Sequence, residues 1–63
     1  MDKEIFKAIR KRLGLTQSKM GELVGVNGRS IRRFESGEWP VSKVVRDKLN
    51  KHLNDLKKEK EDG

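Results

Sequence analysis

The apolar residues of this chain fall into four stripes separated by short gaps, three of them marked by glycine. In the first segment Ile5, Phe6, Ile9 and Leu13 recur at the three- and four-residue spacing of one helical face. Asp2 stands where an N-cap belongs and Glu4 in the first turn. Arg10, Lys11 and Arg12 suit the negative end of the helix dipole, and Gly14 stops the run. This pattern predicts a helix over 2–13. Thr16 reads as the next N-cap, flanked by Leu15 and Met20 at the spacing of a hydrophobic staple. A helix over 17–24 follows, with Met20, Leu23 and Val24 inward and Gly25 at its end. Asn27 is a third cap, and Val26 and Ile31 repeat the staple spacing. The helix it opens, 28–36, points Ile31 and Phe34 inward and stops at Ser36-Gly37. Glu38-Trp39-Pro40 is a turn, because the residue before a proline avoids helical geometry. Val41, Val44, Val45, Leu49, Leu53 and Leu56 form one last stripe. It predicts a single long helix over 41–57, opened by Pro40 or capped by Ser42. No segment alternates with the period of a strand. The expected core is Phe6, Ile9, Leu13, Met20, Val24, Val26, Ile31, Phe34, Val45 and Leu49.

Only Gly25-Val26-Asn27 joins the second and third helices, so they must cross steeply. Gly25 can take the positive backbone angle such a turn needs, and Gly21 is small where the second helix is expected to approach the first. Met20, Val24, Val26, Ile31 and Phe34 supply apolar contacts between the pair. Together these positions make a helix-turn-helix pattern.

The chain has 63 residues, of which 32% are apolar and 41% charged, so one domain with a thin core is expected. Cysteine is absent, which excludes a disulfide framework and a thiolate metal site, and His52 cannot hold a metal alone. An enclosed catalytic pocket is not expected, nor an enzyme, cofactor, metal or small-molecule substrate. No apolar run approaches the ~18 residues of a membrane span, and the N-terminus lacks an apolar stretch resembling a signal peptide. A small cytoplasmic binding module is the expectation, without a membrane partner. Sixteen Lys and Arg against ten Asp and Glu give a net charge of +6, which favours an anionic partner, nucleic acid before a membrane surface. From Val26 to Phe34 there are three arginines and no acid. Arg29 and Arg33 are one turn apart and share a face, and arginine can pair bidentately with guanine. Arg32 lies about 60° round the helix from Arg29, better placed for phosphate. Asn27, Gly28 and Arg29 form the N-terminal end, the part of such a helix that enters the major groove. The expected base-reading set is Asn27, Gly28, Arg29 and Arg33.

The stretches Leu13-Gly14-Leu15-Thr16-Gln17, Val24-Gly25-Val26-Asn27 and Ser30-Ile31-Arg32-Arg33-Phe34-Glu35-Ser36-Gly37 resemble the phage repressor and Cro family, the Xre-type regulators. The resemblance covers roughly residues 5 to 41. It implies an all-α, small lambda-repressor-like helix-turn-helix bundle of four main helices, the last one long. It also implies a sequence-specific double-stranded DNA-binding transcriptional regulator. The expected form is a homodimeric repressor on a two-fold symmetric operator, cytoplasmic and nucleoid-associated in a prokaryote or phage. By the same resemblance Gln17 contacts phosphate, and Arg10 and Glu35 form a structural ion pair between the first and third helices. Many members have two further short helices beyond the position of Pro40, where this chain has one continuous stripe.

Ser42, Lys43 and Arg46, at the start of the last helix, either reach phosphate or only solubilise it. Leu53 and Leu56 extend past where so small a core is expected to reach, which suggests a dimer interface over a half-exposed end. Trp39 reads as core, with docking of a partner subunit as the rival, and His52 as a surface residue. The expected division is a DNA-binding domain over 1–58 and a charged disordered tail over 59–63. The alternative function is a protein-interaction module of the same fold, an antitoxin or a coactivator-like bridging protein.

Overall fold

Each apolar stripe becomes a helix, and each helix starts at a residue whose side chain takes up a free amide. The helices are α1 (Lys3–Arg12), α2 (Gln17–Val24), α3 (Gly28–Ser36) and α4 (Lys43–Asp62). This computed structural model describes the backbone of residues 1–62 and the side chains of residues 1–57; Gly63 and the side chains of the expected tail lie outside the described residues. Asp2 accepts from the Glu4 amide at 3.2 Å, Thr16 from Lys19 at 3.1 Å, Asn27 from Ser30 at 2.8 Å and Ser42 from Val45 at 3.3 Å. Each cap satisfies one of the donors a helix start leaves free. Helix α4 begins at Lys43 rather than 41, because Ser42 caps it and leaves Pro40 and Val41 outside. It runs on to Asp62, past the expected end at 57, since no glycine or proline interrupts that stretch.

Phe6, Met20, Val24, Ile31, Phe34, Val45 and Leu49 form the buried core. Ile9, Leu13 and Val26, expected inside, are only partly buried and pack round its rim. Ile5 is 55% exposed and Val44 63%, although both belong to the predicted stripes. Each directly precedes a buried residue, Phe6 or Val45, and neighbours on a helix stand about 100° apart, so only one of the two faces the core.

The steep joint between α2 and α3 is held by two glycines. Gly25 takes φ 77°, and its amide and that of Val26 both donate to the Gly21 carbonyl. Gly21 does not face α1 as expected; a Cβ there would lie 2.4 Å from the Val26 carbonyl oxygen, so it faces the turn itself. The Lys48 ammonium lies over Gly25, and Lys3 over Gly37, each placing positive charge at the negative end of a helix dipole. No described helix is long and apolar enough to cross a membrane.

Candidate nucleic-acid interface

Helix α3 sends Ile31 and Phe34 into the core and leaves Arg29, Arg32 and Arg33 exposed. Its first turn packs against that of α2: a Cβ on Gly28 would stand 3.3 Å from Ser18 Oγ and 3.4 Å from Ser18 N. Helix packing thus favours a small residue at 28, although a Cβ there would need only a slight shift of the Ser18 hydroxyl. Two helix N-termini converge here, and their free amides and positive dipole ends favour an anion. Between them lies a hollow of about 490 Å³ lined by Gln17, Ser18, Asn27, Gly28, Arg29 and Arg32. A second hollow of about 530 Å³ runs along α3, lined by Arg29, Arg32, Arg33, Ser36 and Glu38. Arg29 and Arg32 border both, so the two hollows form one basic surface with Glu38 at its far edge.

Behind this surface Arg10 and Glu35 are joined by Nε–Oε2 at 2.6 Å and Nη2–Oε1 at 3.1 Å. Arg10 Nη1 also donates to the Leu15 carbonyl at 2.9 Å, so one largely buried guanidinium ties α1 to α3 and to the chain entering α2. Gln17 Nε2 donates to Glu35 Oε1 at 3.4 Å. The side chain expected on phosphate therefore has one donor directed inward. Asn27 is similarly engaged, because its side-chain oxygen caps α3. A bidentate pair with adenine uses both ends of an asparagine, so here the oxygen would have to accept a second hydrogen bond beside the cap.

Trp39 is not core. It is 43% exposed, and its ring lies outside Phe34 at 6.2 Å, which in turn meets Phe6 edge-on at 6.0 Å. Phe6 and Phe34 already fill the interior, leaving the indole as an outer layer. The Arg33 guanidinium carbon lies 4.6 Å from the Trp39 ring centre. The only sequence signal that joins these two residues is Gly37, which reverses the chain at φ 85° and brings Glu38 and Trp39 back beside α3.

Ser42, Lys43 and Arg46 stand at the start of α4 and line neither hollow. The Ser42 oxygen accepts the capping bond and keeps its O–H as a donor, and Arg46 Nε lies 3.9 Å from Asp47. Leu53 does not extend past the core: it packs against it, and with Ile9, Arg12 and Leu13 lines an apolar hollow of about 230 Å³. Leu56 is 38% exposed. His52, three residues beyond buried Leu49 on the same side of α4, is half-buried rather than on the surface. No group of three His, Cys, Asp or Glu side chains comes together among the described residues in a way that could hold a metal ion.

Compared with known families, residues 6–54 match the helix-turn-helix family. No curated protein and no solved structure matches the chain.

Proposed function

Since this chain belongs to the helix-turn-helix family, Xre/Cro-like in type, and so to a class of DNA-binding regulators, we propose that it reads specific double-stranded sequences through α3 in the major groove. The observation that carries the reading is the row of exposed arginines on α3 beside two converging helix N-termini. Arg29 and Arg33 take base edges, with Asn27 and Gly28 closest to the groove floor. Gln17, Arg32, Ser42, Lys43 and Arg46 take phosphates. Two copies pair through the outer end of α4, with the exposed Leu56 at the contact, and occupy a two-fold symmetric operator with recognition helices ~34 Å apart. The regulator acts as a cytoplasmic repressor by occupying the site.

Selection of bound duplexes from a random library tests this. A two-fold symmetric consensus is expected, and recovery of unenriched sequence would sink the reading. On the selected duplex, Arg29→Ala or Arg33→Ala should cost ~1–3 kcal/mol, and less on a scrambled one. Lys43→Ala or Arg46→Ala should weaken both duplexes equally and flatten the salt slope by ~1 per lost contact. A second reading is a protein-interaction module of the same fold, in which the exposed Ile5 and Val44 would supply apolar contacts. Retention of a protein partner without any duplex preference would support it.

A further inference from the structure

An exposed arginine is a poor reader of bases unless something restricts it, because its long side chain loses much rotamer freedom on binding. Among the described residues, nothing on α3 or beside it fixes the guanidinium groups of Arg29 and Arg32, whereas Arg33 lies over an indole. That indole is itself fixed. Its backbone amide donates to the Arg33 carbonyl at 3.3 Å, and the Ser36 hydroxyl donates to the same carbonyl at 3.1 Å. Glu38 N–H in turn donates to Ser36 Oγ at 3.4 Å, so the returning loop is pinned to the last turn of α3. On its inner side the ring rests on Phe34, and Phe34 on Phe6. A continuous series of ring contacts, edge-on between Phe6 and Phe34 and tilted between Phe34 and Trp39, thus runs from the core to Arg33 at the surface.

A guanidinium held against an aromatic face keeps its donors around the edge of its plane, the geometry that bidentate recognition uses. We propose that Trp39 is a positioning residue that holds Arg33 for base recognition and so sets sequence preference at the base pair Arg33 contacts. The proposal rests on the reading that α3 reads bases. It assigns Trp39 no contact with DNA, and so no share in sequence-independent affinity.

A double-mutant cycle tests it, with the library-selected duplex and its scrambled counterpart as probes. Trp39→Leu should lower the preference for the selected duplex about three- to tenfold, the range expected for a stacked arginine, and leave affinity for the scrambled duplex unchanged. In an Arg33→Ala background the same replacement should add less than about twofold. Trp39→Phe, with a smaller ring, should lose about twofold with Arg33 present and nothing measurable in the Arg33→Ala background, so it carries the cycle alone if the leucine variant does not fold. Trp39 is the sole tryptophan and there is no tyrosine, so its emission reports this site alone and should shift in the free protein on Arg33→Ala. Equal losses from Trp39 replacement with and without Arg33, or an undiminished preference, overturn the positioning role. An Arg33→Ala variant that loses equally on both duplexes overturns base reading itself, a different outcome.

Discussion

The pair α2 and α3 and the outer half of α4 are built from similar residues but held very differently. In the pair every side of the joint is fixed. Gly21 abuts the turn backbone, Met20, Val24, Ile31 and Phe34 are buried, and Arg10 and Glu35 brace the pair from α1. In α4 the buried positions are Val45 and Leu49; Leu53 is partly covered and Leu56 exposed. The difference shows where a thin core is concentrated: under the helix that carries the arginines, rather than evenly along the chain. A helix that reads a groove, the role proposed for α3, needs its face held rigidly, while an end proposed to meet a second copy does not.

The contrast can be broken most severely at Gly21. Gly21→Val should leave the chain unfolded by circular dichroism, because a Cβ 2.4 Å from a backbone oxygen cannot be relieved by moving a side chain. Phe34→Ala should cost ~3–5 kcal/mol in urea melts, close to all the stability a domain of this size has. Glu35→Ala should cost about 3 kcal/mol, since Arg10 would remain largely buried without its carboxylate. Leu53→Ala should cost about 1–2 kcal/mol in the same melts, as expected for a partly covered leucine. Leu56→Ala should cost under about 0.5 kcal/mol in dilute protein, where it is a surface change. If its cost grows with protein concentration, the outer end of α4 is covered by a second copy.

The first three helices were legible because each carries a local start and stop: Asp2 and Gly14, Thr16 and Gly25, Asn27 and Gly37. Those signals act within a few residues and do not depend on the rest of the fold. The start of α4 was less legible, since Pro40 and Ser42 are both acceptable openings and only the observed Ser42 bond separates them. Ile5 and Val44 belong to the stripes but not to the expected core, because a stripe read by spacing tolerates two adjacent apolar residues, while a helix turns one of them away. At the candidate interface the arginines could be read from sequence, being a cluster without acids. Their restraints could not: the engagement of Asn27, the inward donor of Gln17 and the Arg33–Trp39 stack all depend on where the chain returns after a turn.

The three-residue joint also bears on how fast this domain assembles. Helices α2 and α3 make the most extensive pairing in the molecule and are neighbours in sequence, so little chain entropy opposes their meeting. Domains dominated by such local pairings fold in microseconds to milliseconds. A nucleus of Met20, Val24, Ile31 and Phe34 can form before α4 closes over it, so the surface that carries the arginines takes shape early. Replacing Met20 or Ile31 by a smaller residue should then slow refolding, whereas shortening Leu53 should mainly speed unfolding.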